Sequence, residues 1–551
     1  MHQLIKHFIF ILFISFSLAS QAQDHDLAII PKPFSYEKVA ASFLIHQATA
    51  IQTDEKSNAQ AAYYFQNEVL NATGLSLGIK KTALNNVISF KLVPLKSKES
   101  HFYQIKMTSQ KVEVTAATEE GLFRGAASLL QVLKQSKNAN GTYTLPCWNI
   151  TDKAFFEWRG LMLDESRHFF GKEKVKQILD WMAFYKLNKF HWHLTDQPGW
   201  RIEIKKYPRL TTVGGVGSYS NANAKAQYYT QEDIKEIIAY AANRFIEVIP
   251  EIDMPGHATA ANLAYPQFSG GGSPKYPEFT FNPAKEGTYQ YLTDILKEVN
   301  VLFPSQKIHI GADEVHFGNQ HWNVDADVQK LMKEKNFTSL KEVEHHFLYR
   351  MGDSILKMDN EILAWDEVVD SKLPVAQTTV FWWRHDKPEV LKQALVKGFK
   401  TVLCPRLPLY FDFVQDEKHQ IGRKWDGKFV TIEQVYQFPN QDILSLEGAA
   451  KLVQGIQANI WTESISTENH LDYMLFPRIT ALAEAAWVKP DAKDYTLFKQ
   501  RLNVHLRYFG ESGLYYFHPF LPEKFQEFQG PVQRKKQSTN TDDLTKQEKG
   551  L

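Results

Sequence analysis

Two adjacent carboxylates, Asp313 and Glu314, close the run Lys307-Ile-His-Ile-Gly-Ala-Asp-Glu-Val315. Ile308 and Ile310 alternate with His309 at the period of a strand, and Gly311-Ala312 breaks the run just before the acids. Burying charge is costly unless the charge is paired or used, so an acidic pair at the mouth of an apolar strand requires a reason. One reason is structural: a helix start, with Asp313 as N-cap and Glu314 in the first turn. The other is chemical. An acid that protonates a leaving oxygen, beside a negative charge that steadies an oxocarbenium-like transition state, suits glycoside hydrolysis.

Other chemistry-bearing residues follow the same layout. The segment 158–461 holds eight candidate strands: Trp158–Leu163, Lys189–Leu194, Phe245–Ile252, Lys307–Ala312, Glu361–Trp365, Thr379–Trp383, Lys400–Leu403 and Gln457–Trp461. Helical patterns such as Lys172–Tyr185, Gln231–Arg244, Tyr289–Leu302 and Leu340–Met358 lie between many of them. Repeated strand–helix units imply a parallel sheet, and eight units fit a (β/α)8 barrel, whose catalytic groups gather where strands end. An open doubly wound sheet is the alternative, but no Gly-rich phosphate loop follows the first strand. The first strand carries Arg159 and ends at Asp164; the others lead to His193 and Asp196, to Glu251, Asp253 and His257, to the acidic pair, to Trp365, to Trp382 and Trp383, to Tyr410 and Asp412, and to Trp461 and Glu463. Tryptophan faces offer flat apolar contact to sugar C–H groups, while arginine and aspartate bind hydroxyls in fixed geometry. A metal-dependent hydrolase is the rival reading: His191 and His193 share one side of a strand and would need His257 and Asp313 to converge on them. A sugar-binding protein without catalysis is a third, but binding alone does not need an acid at that place.

The rest of the chain frames this segment. At 551 residues two or three domains are expected. A net charge of +1 argues against a nucleic-acid partner. Lys6 and His7 precede the apolar run Phe8 to Leu18, and Ser20-Gln21-Ala22 offers small residues, so residues 1–22 read as a cleaved signal peptide, with a periplasmic or extracellular destination. No later stretch is long and apolar enough to span a bilayer. Residues 24–150 read as a small α/β accessory domain: a helix over Ala59–Leu70, a strand over Val87–Val93, a hairpin from Tyr103–Thr108 and Lys111–Thr115, and an amphipathic helix over Glu119–Lys134. The barrel spans 151–525, and the polar residues 526–551 read as a disordered tail. Cys147 and Cys404 lie in different contexts and are expected as buried free thiols. No cysteine cluster suggests a structural metal, and no cofactor is expected.

The motifs resemble those of the β-N-acetylhexosaminidases of glycoside hydrolase family 20. The likeness rests on Arg159-Gly-Leu-Met-Leu-Asp164 with Arg167-His168-Phe169, His191-Trp-His-Leu-Thr-Asp196, Gly199-Trp-Arg201, Pro250-Glu-Ile-Asp-Met-Pro-Gly-His257, His309-Ile-Gly-Ala-Asp-Glu-Val315, Ala364-Trp-Asp-Glu367 and Asn459-Ile-Trp-Thr-Glu463. It implies a barrel preceded by an accessory domain, and exo-acting, retaining, substrate-assisted cleavage of terminal β-linked N-acetylglucosamine or N-acetylgalactosamine from a glycan. Under that resemblance Glu314 is the general acid and then the base. Asp313 takes the acetamido N–H, Tyr410 donates to the acetamido oxygen, and Trp365, Trp382 and Trp461 wall the pocket. Arg159 holds the 3- and 4-hydroxyls, Glu463 and Asp412 the 4- and 6-hydroxyl side, and Asp196 with His257 supports Glu314. One departure stands out. The family often has Asp-Asp-Gln-Gly-Trp where this chain has Asp196-Gln197-Pro198-Gly199-Trp200, so a reshaped loop is expected there. The choice between epimers, the natural glycan and the oligomeric state stay open.

Overall fold

The computed structural model describes residues 27–53, 59–94, 99–424 and 427–527. The expected signal peptide and nearly all of the expected tail lie outside the described residues.

The N-terminal unit is a seven-stranded mixed sheet backed by helices Gln60–Thr73 and Glu119–Gln135. The expected hairpin is present, with Tyr103–Met107 antiparallel to Lys111–Ala116. Helix Glu119–Gln135 is N-capped by Thr118, whose side chain accepts from Gly121 N, and carries Glu119 and Glu120 in its first turn, both favourable there. The expected amphipathic pattern has a second outcome: every residue from Gly121 to Leu133 is buried. The apolar face lies on the sheet. The polar face meets the barrel, where Arg124 donates to Phe245 O and Gln131 donates to Phe184 O.

Eight parallel strands then close a barrel: β1 (Trp158–Asp164), β2 (Lys189–His193), β3 (Glu247–Glu251), β4 (Lys307–His309), β5 (Glu361–Trp365), β6 (Thr378–Trp382), β7 (Lys400–Leu403) and β8 (Val453–Ile460). Each expected strand is found, within a few residues at its ends. They are legible because strands buried on both faces read as short apolar runs. β8 pairs with β1 from Gly455↔Trp158 to Ile460↔Leu163, which completes the circle. The barrel interior is filled by side chains, including Gln457, His191, His309 and Phe381, all fully buried.

The accessory sheet meets the end of the barrel where strands begin. Lys186, just ahead of β2, pairs with Asp152 at 2.9 Å with both side chains buried, and Trp487 Nε1 donates to the same aspartate. Cys147 and Cys404 are both free and buried. Among the described residues no helix is long and apolar enough to cross a membrane.

Candidate active site

Beyond β4 the chain stays in register with its neighbours before it turns. Ile310 N donates to Leu363 O, and Trp365 N donates to Gly311 O. Gly311 has φ 63°, and a Cβ there would meet Asp253 Oδ1 at 1.9 Å, so the position tolerates no side chain. Ala312 and Glu314 are also left-handed, at φ 71° and 53°. Such conformations cost on the order of 1–3 kcal/mol each in non-glycine residues and persist where surrounding structure holds them. They lift the two carboxylates into the mouth. The helix-start reading fails here: only a short 3-10 turn, Val315–Phe317, follows, and Glu314 makes no side-chain cap bond. Asp313 Oδ1 is buried without a hydrogen-bond partner.

His257 ties the pair to the barrel. Its Nε2 lies 3.5 Å from Glu314 Oε2 and 3.8 Å from Asp313 Oδ2, while Nδ1 donates to Asp196 Oδ1 at 3.0 Å. Asp196 Oδ2 takes Arg167 Nη2 at 2.7 Å and His193 Nε2 at 3.0 Å. His193 Nδ1 donates to Glu251 Oε2 at 2.6 Å, and Trp365 Nε1 donates to Glu251 Oε1 at 2.9 Å. Burial works against every charge in this chain of contacts. For Asp196, Arg167 and His257 outweigh it and hold the carboxyl well below its ordinary range. For His257 and His193, flanking carboxylates outweigh it and hold the imidazoles protonated well above theirs. Burial wins at Asp253, pushed up to about 8, and at Asp313, which Asp253 also raises.

The expected loop departure is a two-residue hairpin turn. Asp196 pairs with Gly199 and Thr195 with Trp200, leaving Gln197-Pro198 at the tip. Asp196 therefore stays in the mouth despite the proline.

Four aromatic rings form an arc in the mouth, and Asp313 is near enough to one of them, Tyr410, to act on it electrostatically. Trp365 lies 5.9 Å from Trp461, Trp461 lies 6.0 Å from Tyr410, and Tyr410 stacks on Trp383 at 6.4 Å with planes 14° apart. Trp382 is not in the arc, which corrects the expectation for that residue. Side chains alternate along a strand. Phe381 packs inside the barrel against His309 and Trp365, so Trp382 points outward, where its Nε1 donates to Lys387 O. Trp383 returns to the mouth, its Nε1 held by Glu367 at 3.0 Å.

Arg159 is the second correction. It is the second residue of β1, and at roughly 3.3 Å per residue it sits about 16 Å from the strand's mouth end. Its guanidinium donates to Lys186 O and Phe156 O, and Glu120 of the accessory domain lies 3.7 Å away. It can hold no hydroxyl in the mouth. Arg167, three residues beyond the strand's end, lies there instead: it pairs with Asp196, and its guanidinium carbon sits 4.9 Å over the Trp461 ring. Its place after a strand end, not within a strand, was the available signal.

Asp412 and Glu463 flank the same side, bridged by Arg423 at 2.9 and 3.3 Å. The loop 214–229 covers this end. Arg201 donates to the carbonyls of Gly215, Gly217 and Gln227, Tyr219 N donates to Arg167 O, and His168 Nε2 lies 2.7 Å from Ser220 Oγ.

The four groups of the metal reading do not converge as one set. His191 groups with Glu251 and His309, whereas His257 groups with Asp196 and Asp253 or with Asp313 and Glu314. Gln457 Nε2 donates to His191 Nδ1, which leaves the proton on the Nε2 that faces Glu251 at 3.0 Å.

Residues 156–490 match the catalytic domain of glycosyl hydrolase family 20, and residues 26–153 match that family's domain 2. The chain belongs to glycosyl hydrolase family 20. It is 31% identical over 518 residues to a β-hexosaminidase of Porphyromonas gingivalis, covering 91% of this chain and 65% of that one. It therefore spans about two thirds of that relative's length. It is 32% identical to a β-hexosaminidase of Vibrio furnissii, covering 83% of this chain and 76% of the relative. The exo-β-N-acetylglucosaminidase of the same family from Vibrio harveyi, solved with N-acetylglucosamine, superimposes with a TM-score of 0.83 at 32% identity, covering 90% of this chain and 79% of that structure.

Proposed function

We propose that this chain is an exo-acting, retaining β-N-acetylhexosaminidase whose nucleophile is the substrate's own acetamido oxygen. The observation that carries this reading is the adjacency of Asp313 and Glu314, both within reach of His257, in a mouth that also holds an arc of aromatic rings. Two neighbouring residues cannot flank a sugar from opposite faces, as a two-carboxylate mechanism requires; substrate-assisted enzymes are the recognised exception to that scheme.

In the first step the acetamido oxygen bonds to the anomeric carbon as the bond from that carbon to the leaving oxygen breaks. Glu314 gives its proton to that oxygen. The positive charge spreads over an oxazolinium ring, whose N–H donates to Asp313. In the second step water attacks the anomeric carbon, Glu314 takes the water's proton, and the ring reopens to the acetamido group with the β configuration retained. Protonated His257, 3.5 Å from Glu314, lies beside the carboxylate that the first proton transfer leaves and the second consumes. Tyr410 donates to the acetamido oxygen. Arg167, Asp412 and Glu463 hold the hydroxyls of the terminal sugar, and loop 214–229 closes the pocket behind them, which suits removal of single end residues. Export by the N-terminal segment would place the reaction in the periplasm or outside the cell.

The test is hydrolysis of aryl β-glycosides that differ only at C2, with the product anomer followed by NMR from the first turnover. The 2-acetamido substrate should be cleaved to the β anomer, the 2-trifluoroacetamido substrate much more slowly, and the 2-hydroxy substrate not at all. Equal rates for the acetamido and hydroxy substrates, or an α anomer as first product, would overturn the mechanism. Binding of N-acetylglucosamine with no cleavage of either epimer would show a sugar-binding protein instead.

A further inference from the structure

We propose that Arg423 is a positioning residue that sets hydroxyl specificity, by holding Asp412 and Glu463 together as one acceptor pair for the 4- and 6-hydroxyl edge of the sugar. This rests on the hexosaminidase reading and adds a residue to it. The three side chains come from separate places: Asp412 follows β7, Glu463 follows β8, and Arg423 returns from the irregular stretch after Asp412. Its backbone is fixed there, with Arg423 N donating to Asp412 O at 3.0 Å and Val414 N donating to Arg423 O at 3.1 Å. The guanidinium then spans both acids, Nε at 2.9 Å from Asp412 Oδ2 and Nη2 at 3.3 Å from Glu463 Oε1.

Asp412 is 1% exposed; its Oδ2 is held by Arg423 at 2.9 Å, while Oδ1 is buried without a hydrogen-bond partner and is left to accept from a hydroxyl. Asp412 faces Arg423, Glu463 and Arg478; burial pushes it up to about 6, Glu463 adds to that, and the two arginines oppose it. Glu463 faces Arg167, Arg423 and Asp196. Burial would raise it, and the two arginines more than offset that. Tyr219 faces Glu463, Arg167 and Arg423 from the covering loop. Arg478 cannot replace Arg423, because its guanidinium is committed to the carbonyls of Phe411, Phe413 and Met474. Without Arg423, buried Asp412 and half-buried Glu463 lose the cation between them, Asp412 takes a proton more readily, and one of its two accepting oxygens becomes a donor.

The experiment compares the wild-type full chain with R423Q and R423K on a chromogenic β-N-acetylglucosaminide, its galacto epimer and its 6-deoxy analogue, with kcat and KM separated as a function of pH. In R423Q, KM should rise about tenfold or more with kcat little changed, as loss of a charged acceptor predicts. The acid limb of kcat/KM should move to higher pH, and the penalty for removing the 6-hydroxyl should shrink toward one. R423K should restore the limb but only part of KM. A wild-type limb and deoxy penalty in R423Q would overturn the proposal, as would a fall in kcat with KM unchanged. If R423Q loses its fold by circular dichroism, R423K decides: a deoxy penalty and KM equal to wild type would overturn the proposal. An inactive wild type would overturn the hexosaminidase reading itself, whereas an active wild type with an indifferent R423Q overturns only the role of Arg423.

Discussion

Each end of the barrel holds an arginine among carboxylates and a tryptophan. At the closed end Arg159 lies near Glu120 and 5.0 Å over the Trp487 ring. At the mouth Arg167 lies on Asp196 and over Trp461. Left-handed residues do not separate the two ends: Lys186 and Phe245, each two or three residues ahead of a strand, match Ala312, Glu314 and His257 in that respect. The difference lies in where the polar atoms are spent. Arg159 gives Nε and Nη1 to backbone carbonyls and turns Nη2 toward Glu120 of the accessory domain at 3.7 Å, so its guanidinium is spent on holding the two domains together. At the mouth, Asp313 Oδ1, His257 Nε2 and Asp412 Oδ1 are buried without hydrogen-bond partners. Unsatisfied buried polar atoms are rare in folded proteins and call for an explanation. A sugar edge lined with hydroxyls and an amide supplies one.

The largest effect should come from the acids. Glu314→Gln removes the proton donor while keeping its shape, and kcat should fall by about 10²–10⁴-fold with an aglycone of high pKa. The deficit should narrow for aryl leaving groups that depart without protonation, and a deficit independent of the leaving group would argue against the general-acid role. Asp313→Asn should cost about 10²–10³-fold, as loss of preorganised charge does, with the deficit persisting for good leaving groups.

The paired arginines break the comparison most directly. Arg167→Met should raise KM about tenfold or more, and should also lower the melting temperature, because buried Asp196 loses its ion-pair partner. Arg159→Met should do only the second: hydrolysis intact at low temperature, and stability lower by about 1–3 kcal/mol because carbonyls are left unpaired. Steady-state kinetics and thermal melts of the two variants read both outcomes. A raised KM in Arg159→Met would put the two ends on the same footing.

That contrast also shows which features were legible from the residues. The barrel strands were, because parallel strands buried on both faces leave apolar runs. Asp313, Glu314, Asp196 and His257 were, because they follow those runs directly. Arg159 misled because it sits inside a motif whose end, not its start, faces the pocket. Trp382 misled because its neighbour Trp383 has the same side chain and only strand parity tells them apart. Arg423 left no trace, since an irregular stretch carries it to Asp412 and no period governs such a return. The amphipathic pattern of helix Glu119–Gln135 showed its apolar face but not the burial of its polar one, because a second domain cannot be seen in a local pattern.

A smaller effect should appear in the pH dependence of stability. The folded pKa of Asp196 is depressed below its ordinary 3.8, because Arg167 and His257 overcome the burial that would raise it. Its contribution is therefore present above pH 3.8 and is lost as pH falls through the folded value. His257 is raised above its ordinary 6.5 as Asp196 outweighs burial. Its contribution is full below pH 6.5 and is lost as pH rises through the folded value. Asp196→Asn should flatten both sides, seen as a melting temperature that changes less with pH below 3.8 and above 6.5 than in the wild type. Parallel curves for the two proteins would mean that the pair adds nothing to folding.

The smallest effect concerns the adjacent tryptophans and sharpens the comparison to a single step along a strand. Trp383 stacks on Tyr410 in the mouth, while Trp382 faces the helix Pro388–Lys397 through its bond to Lys387 O. Trp383→Phe keeps an apolar ring but loses the indole N–H to Glu367 and part of the stacking area. An aromatic pair contributes about 0.5–1.5 kcal/mol beyond its buried area, so KM should rise severalfold at most. Trp382→Phe should leave KM unchanged and lower the melting temperature, because the smaller ring leaves a void behind β6. If instead Trp382→Phe raised KM and Trp383→Phe did not, the parity of β6 would be reversed, and Phe381 could not pack against His309 and Trp365 as it does.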